Sequence, residues 1–153
     1  KIQFLDTGLV NYSLGIQSEM LSMKDFNDAY NGSIIPHLIF QELISLQVET
    51  NKRSYFWVRE KKQSSAEVDL IYTYKNLAIP IEIKSGATGK LKSLHQFIEA
   101  VDHPYAIRMY AGALQIERAI TPGKKPYLLM NLPYYLGTMM PEYVDWFIKN
   151  HPL

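Results

Sequence analysis

Cysteine is absent from the 153 residues of this chain. Its absence excludes disulfide bonds, thiolate catalysis and zinc sites built on cysteine, and it is typical of a cytoplasmic protein. A dominant charge is missing as well, because 16 basic and 15 acidic residues leave a net charge of +1. No strong overall field therefore recruits the chain to nucleic acid or to an anionic membrane.

Long apolar runs are also missing. No apolar segment reaches the roughly 18 residues that a membrane helix needs, and no signal-peptide pattern is present. We therefore expect a cytoplasmic protein without membrane association. The chain starts at Lys1 inside a strand-like pattern, without an initiator methionine, so we expect it to be part of a longer polypeptide.

What is present fits one globular domain. Hydrophobic residues make up 47% of the chain, and 153 residues suffice for a single core of good size. The predicted order of core elements is a helix, three strands, a helix and a strand. This order predicts an α/β fold with a mixed sheet flanked by helices. We expect one domain over residues 1–153, in which residues 1–16 are a candidate linker from a missing N-terminal region.

The individual elements follow from hydrophobic period and from capping and turn residues. Strands are predicted at "KIQFL", "SYFWVRE", "AEVDLIYTY", "LAIPIEIK", "YAIRMYAG" and "YLLMNLPYYL". Helices are predicted between Asp6 or Thr7 and Gly15, after a Ser33 cap, over "KLKSLHQFIEAVD" and over "MPEYVDWFIKN".

Charged residues interrupt two of these apolar strands. If Lys75-Asn76 forms a two-residue hairpin turn, the numbers of paired residues sum to 151. Asp69 then faces Glu82, and Glu67 faces Lys84. Alternation along a strand places Glu67 and Asp69 on one face of the sheet. Opposed carboxylates are destabilising unless a cation or a proton compensates them.

A further carboxylate stands on the helix after Ser33. Glu42 falls within the apolar arc of that helix, and a lone buried carboxylate costs several kcal/mol unless it is paired or bound to metal. We therefore predict that Glu42 points toward the sheet and converges with Asp69 and Glu82, with Lys84 alongside. Such a group suits Mg²⁺ and metal-assisted phosphodiester hydrolysis, with Lys84 positioning water or stabilising developing phosphate charge.

A simpler interpretation stays open at this point. A strand with alternating charges often has one solvated face. Glu67 opposite Lys84 would then be an ordinary cross-strand ion pair.

The order Glu42, Asp69, Glu82-x-Lys84 on helix, strand and strand resembles the PD-(D/E)XK nuclease superfamily. More closely, the chain is similar to the C-terminal domain of unknown function of many bacterial and archaeal AAA+-type ATPases. The resemblance extends from residue 1 to about residue 112. It rests on "KIQFLDTGLVNYSLGI", "NGSIIPHLIFQELIS", "YFWVREKKQSSAEVDLIY", "LAIPIEIKSG" and "SLHQFIEAVDHPYAIRMYAG".

The resemblance implies a restriction-endonuclease-like fold, possession of a Mg²⁺ cofactor and an N-terminal ATPase domain as partner in the same polypeptide. It implies catalytic roles for Asp69, Glu82 and Lys84, and metal ligation by Glu42, Asp69 and Glu82. Glu67 and Gln96 are auxiliary candidates. One departure is that Pro36-His37 stand where family members commonly have Glu-Asn. Domains of this superfamily often keep the fold and lose the reaction, so a non-catalytic regulatory or interaction module is the alternative function.

Two remaining motifs concern phosphate binding. "SGATGK" lacks the spacing of a Walker A loop, so we predict no ATPase site in this chain. Basic residues before and after the candidate site could contact a DNA or RNA backbone, although a solvated loop explains them equally well. The nucleic-acid candidates are Arg59, Lys61, Lys62 and Lys90.

Overall fold

The computed structural model describes residues 6–22, 34–46, 55–61, 64–84 and 90–152. Its strands are β1 Tyr55–Lys61, β2 Ser64–Tyr74, β3 Leu77–Ile83, β4 Tyr105–Tyr110, β5 Gln115–Ile120 and β6 Pro126–Pro133. Its helices are α1 Thr7–Ser13, α2 Gln17–Ser22, α3 Ile34–Ser45, α4 Lys92–Ala100 and α5 Met140–Asn150, with a 3₁₀ helix at Tyr134–Met139. The predicted strand at residues 1–5 and the Ser33 cap lie outside the described residues.

The strands form one mixed sheet in the order β1-β2-β3-β4-β6-β5. β1, β2 and β3 are antiparallel, β3, β4 and β6 are parallel, and β5 is antiparallel to β6. This arrangement confirms the predicted α/β class. Strand β5 was not predicted from the sequence, because "QIERAI" forms a half-exposed edge strand, where mixed polarity hides the strand pattern.

Helices cover both faces of the sheet. On one face, α3 and α5 enclose the larger core, which includes Ile39, Ile81, Ile107, Met130 and Phe147. On the other face, α4 packs Leu94 and Ile98 on Ala106, Tyr127 and Leu129. Successive residues along β3, β4 and β6 therefore point alternately to the layer of α3 and α5 and to the layer of α4. No helix within the described segments is long and apolar enough to cross a membrane.

Capping and proline placement explain where several helices begin. The Asp6 side chain accepts a hydrogen bond from the Leu9 backbone N–H at 3.0 Å, and Gly15 has a φ of 68° just beyond α1. Both features confirm the predicted bounds of this helix. Pro36 and Pro141 lie in the first turns of α3 and α5, where a missing N–H is tolerated.

The β2–β3 hairpin has the predicted register over most of its length. Pairs run from Tyr74 with Leu77 to Leu70 with Ile81, which is the predicted sum of 151. At the turn, Lys75 has a positive φ of 53°, a conformation that two-residue hairpin turns use.

His103 ties the α4–β4 connection to the hairpin. The buried ring accepts a hydrogen bond at Nδ1 from the Tyr105 backbone N–H, at 3.3 Å. Nε2 therefore carries the proton and donates to the Ala78 carbonyl at 2.9 Å. Burial lowers the pKa of His103, and burial also lowers the pKa of His95. Both shifts favour the neutral imidazole.

We expect the free energy of unfolding to fall as pH drops below about 6.5, the ordinary histidine pKa. The folded-state pKa values are depressed, so the unfolded state binds more protons in this window and acid favours unfolding. Each histidine contributes at most about 1.4 kcal/mol per pH unit. Urea unfolding at pH 7.5, 6.5, 5.5 and 5.0 measures this slope. The slope should be shallower in His103→Gln, and equal slopes in the two proteins would contradict the assignment.

Candidate functional site

A β-bulge lies at the centre of the site. Tyr55 on β1 pairs with Ile71 on β2, and Trp57 pairs with Val68. Two β2 residues, Asp69 and Leu70, therefore stand opposite the single β1 residue between the two pairs. The pairs of β2 with β3 also end at Leu70. Bulges of this kind re-aim side chains and end strand pairing, often beside active sites.

The bulge brings Asp69 to the end of β3. Asp69 Oδ2 accepts a hydrogen bond from the Ile83 backbone N–H at 2.9 Å, between Glu82 and Lys84 in sequence. Glu82 is 6% exposed, and its Oε1 lies 2.6 Å from Lys84 Nζ. The Lys84 side chain is 27% exposed. The structure thus assembles the three predicted catalytic residues, with the lysine open to solvent on one side.

The bulge also corrects a prediction about Glu67. The β2–β3 pairs end before Glu67 is reached, and Glu67 is an exposed residue opposite Val58 of β1. At the end of β3, the Lys84 backbone N–H instead donates to the Met109 carbonyl of β4 at 2.8 Å. The predicted facing of Glu67 and Lys84 is therefore not part of this hairpin.

The two-residue alternation between Glu67 and Asp69 is interrupted as well. Val68 pairs with Trp57, whose ring packs edge-on against Phe97 of α4 at 5.4 Å. Leu70, two residues later, belongs instead to the core formed with α3. The prediction that Glu67 and Asp69 share a face assumed regular alternation along the strand. The bulge interrupts that alternation in β2.

Glu42 does not join the other carboxylates. Glu42 is a half-buried residue of α3. It lies beside Gly137 of the 3₁₀ helix, since a Cβ built on Gly137 would be 3.8 Å from the Cβ of Glu42. Helix α3 packs on the face that holds Ile81 and Ile83, whereas Glu82 lies between them and faces the other layer. Within the described segments, no group of three or more acidic or histidine side chains is placed to hold a metal ion. The predicted convergence of Glu42 with Asp69 and Glu82 is therefore not observed.

The auxiliary and basic candidates are distributed around the site. Gln96 of α4 accepts a hydrogen bond from Arg59 Nη1 at 3.3 Å, which links two of them. Lys61 ends β1 and Lys90 is exposed just before α4, while Lys62 lies outside the described residues. Their contact with nucleic acid stays a prediction.

A polar row that was not predicted from the sequence extends from Glu82 across the sheet. Arg108 on β4 pairs in register with Glu82, and Asn131 on β6 pairs with Arg108. Asn131 Nδ2 donates to Glu117 Oε1 of β5 at 2.6 Å. The signal was present, because "YAIRMY" and "YLLMNLP" each place one polar residue in a buried strand, as "LAIPIEI" does with Glu82.

This arrangement can support metal-assisted chemistry with two acidic ligands. Mg²⁺ is commonly bound through one or two carboxylates together with water and substrate phosphates. Asp69 and Glu82 supply hard oxygen donors of that kind, so the residues present fit such an ion. Lys84 supplies a positive charge beside them.

Comparison with known proteins places the chain in a family. A family model described as a domain of unknown function, DUF4143, matches residues 31–128. The matched region contains Asp69, Glu82, Lys84 and Arg108. No curated protein and no solved structure gives a significant match. Because the family model covers more than half of the 153 residues, the chain belongs to the DUF4143 family.

Proposed function

We propose that this domain carries out Mg²⁺-dependent phosphodiester hydrolysis of DNA or RNA, with a site of the PD-(D/E)XK type. The observation that carries the proposal is the bulge in β2, which brings Asp69 to the backbone between Glu82 and Lys84. The acidic pair and the lysine then stand together at one end of β3, as metal-assisted hydrolysis requires.

Each residue has a definite part in the proposed reaction. Asp69 and Glu82 would hold the ion, which when bound polarises a phosphate and lowers the pKa of a bound water. The hydrogen bond from the Ile83 N–H to Oδ2 orients the Asp69 carboxylate at the end of β3. Lys84 keeps a positive charge near the developing charge on the phosphate.

The ion pair between Lys84 and Glu82 is consistent with a site in which a bound cation replaces the lysine as the partner of Glu82. At 2.6 Å, Lys84 Nζ keeps the buried Glu82 carboxylate compensated, which avoids the cost of an isolated buried charge. When a cation takes over this role, Lys84 can turn toward solvent and substrate, because its side chain is partly exposed.

The resemblance to C-terminal domains of AAA+-type ATPases supports two further parts of the proposal. We propose that the domain works beside an N-terminal ATPase domain of the same polypeptide, and that it does so in the cytoplasm. Arg59, Lys61, Lys62 and Lys90 would contact the backbone of the nucleic acid.

A second candidate function is a non-catalytic interaction module of the ATPase. It is favoured by the edge strand β1, where Tyr55, Phe56 and Val58 are exposed apolar residues. Exposed apolar groups of this kind are typical of partner surfaces. In this case, Asp69, Glu82 and Lys84 would form a polar network retained for structure.

A metal titration separates the two candidates. We expect calorimetry with Mn²⁺ or Mg²⁺ to show binding to the wild-type protein and at least tenfold weaker binding to Asp69→Asn, because the substitution removes one of two anionic ligands. Asp102→Asn is the matched control, since it makes the same change at an exposed carboxylate outside the candidate site, and it should bind as the wild type does. If the wild type binds no ion at millimolar concentration, the hydrolase proposal fails and the interaction module is favoured.

A further inference from the structure

We propose that Arg108 is the phosphate-contacting residue of this site, held in place by Asn131, Glu117 and Tyr110. The inference rests on the proposed function, because it assigns a residue that receives the substrate phosphate beside Asp69 and Glu82. It adds a cation from β4 to a site otherwise built on β2 and β3.

Register places Arg108 directly beside Glu82, one member of the acidic pair. Glu82, Arg108 and Asn131 pair with one another across β3, β4 and β6. Their chain neighbours Ile81, Ile107 and Met130 belong to the core on the α3 face. Successive side chains on a strand point to opposite faces, so the three polar residues form one row on the α4 face.

The row contains buried polar atoms that the fold leaves unpaired. Asn131 is completely buried, and the Arg108 side chain is 15% exposed. Arg108 Nε and Asn131 Oδ1 have no hydrogen-bond partner among the residues described. An unsatisfied buried polar atom costs about 1–3 kcal/mol, so a purely structural row would be better served by apolar residues. The unused donor and acceptor point to a ligand.

The guanidinium group is oriented but only loosely engaged. Arg108 Nη2 lies 3.9 Å from Glu117 Oε1, and the same oxygen already accepts the 2.6 Å hydrogen bond from Asn131. The guanidinium carbon lies 4.6 Å from the centre of the Tyr110 ring. This cation–π contact holds the group over the ring while leaving N–H donors for another acceptor.

The stacked ring is itself fixed by its surroundings. Tyr110 Oη donates to the Ala113 carbonyl at 2.7 Å. The Tyr110 ring occupies the space that a Cβ at position 112 would need, so a larger residue than Gly112 would force the ring to move. Tyr110 therefore forms a rigid support that preorganises Arg108 for a planar, bidentate ligand.

Charge indicates when this ligand can bind. Asp69, Glu82 and Glu117 against Lys84 and Arg108 give the site a charge of −1, which repels a phosphate. A divalent cation at the acidic pair changes this charge to +1. Arginine binds phosphate through two parallel hydrogen bonds, so we expect Arg108 to contact substrate phosphate only when the cation is present.

Binding of a fluorescein-labelled single-stranded oligonucleotide tests the inference. Fluorescence anisotropy is measured with and without Ca²⁺ at several salt concentrations, and a gel confirms that the probe stays intact. We expect Arg108→Gln to weaken Ca²⁺-dependent binding at least tenfold. It should also reduce the salt slope of log K by about 0.7, the value for one lost phosphate contact on a single strand. Arg108→Lys keeps the charge and should recover the slope with only part of the affinity.

Arg118→Gln is the matched control. Arg118 is an exposed residue next to Glu117 on β5, its substitution removes the same charge, and its binding should match the wild type. Thermal unfolding of each variant checks the fold, and Arg108→Lys serves as the test if Arg108→Gln does not fold.

The outcomes separate this inference from the proposed function. If the wild type binds the probe with Ca²⁺ and Asp69→Asn does not, but Arg108→Gln binds as the wild type does, the Arg108 assignment is overturned while the metal site stands. A loss of affinity with an unchanged salt slope also overturns it, because that result indicates a structural role. If the wild type shows no Ca²⁺-dependent binding, the proposed function fails together with the inference.

Discussion

Replacing Lys84 with methionine is expected to lower Mg²⁺-dependent cleavage of nucleic acid by roughly 10²- to 10³-fold, while metal binding stays at least as tight. Lys84 Nζ lies 2.6 Å from Glu82 Oε1, so the lysine competes with a cation for that carboxylate. Methionine keeps the apolar stem and removes the charge. On the proposed function, the substitution removes an ion pair that competes with the cation, together with the group that would stabilise charge on the phosphate.

Two measurements on the same preparations check this expectation. Cleavage of end-labelled single-stranded and duplex DNA and RNA gives the rate, and calorimetric titration with Mn²⁺ gives the affinity. Lys149→Met is the control, because Lys149 is an exposed residue of α5 paired with Asp145, and its loss should leave the rate unchanged. Cleavage by Lys84→Met at the wild-type rate would contradict the assigned role.

Replacing Phe147 with alanine is expected to destabilise the fold by about 3–5 kcal/mol, the usual cost of deleting a buried aromatic ring. Phe147 is completely buried in α5. Its ring packs edge-on against Tyr105 of β4 at 5.5 Å, so it joins α5 to the centre of the sheet. Since domains are stable by only about 5–15 kcal/mol in total, this substitution should remove a large part of the stability.

Urea unfolding followed by circular dichroism measures the loss. Trp146→Ala is the control within the same helix, because Trp146 is 42% exposed and contacts His151 at the end of the helix, so its loss should cost only about 1–2 kcal/mol. Similar losses in the two variants would show that α5 does not pack on the sheet as the structure has it.

The sequence predicted the parts of the fold that depend on local pattern. The apolar stripe of α4 is buried as expected, with Leu94, Phe97 and Ile98 inside. Counting across Lys75-Asn76 gave the correct hairpin register from the turn as far as Leu70 and Ile81. These features depend on residue spacing within one or two adjacent elements, and that spacing is visible in the sequence.

The site was only partly predictable, because its geometry depends on long-range packing. The bulge at Asp69 is visible only when β1 and β2 are aligned, and it removed the predicted facing of Glu67 and Lys84. Glu42 lies on the face of the sheet that α3 covers, and Glu82 points to the opposite face. A helical wheel shows that Glu42 lies on an inward arc, but it cannot show which face of the sheet the helix covers.

Arg108 and Asn131 illustrate a signal that could have been used. Each is a single polar residue in a strand whose other positions are mostly buried. Pairing them with Glu82 requires the strand order β3-β4-β6, which skips β5 in the sequence. Unless this strand order is known, nothing in the sequence groups Glu82, Arg108 and Asn131 together.

The central claim is that Asp69 and Glu82 bind one divalent cation beside Lys84. Crystals grown with Mn²⁺ test it most directly, since an anomalous difference map locates the ion without any assumption about activity. We predict a peak at bonding distance, about 2.1 Å, from carboxylate oxygens of both Asp69 and Glu82, with Lys84 Nζ moved away from Glu82. A fully formed Lys84–Glu82 ion pair with no peak at these carboxylates, at saturating Mn²⁺, would contradict the account.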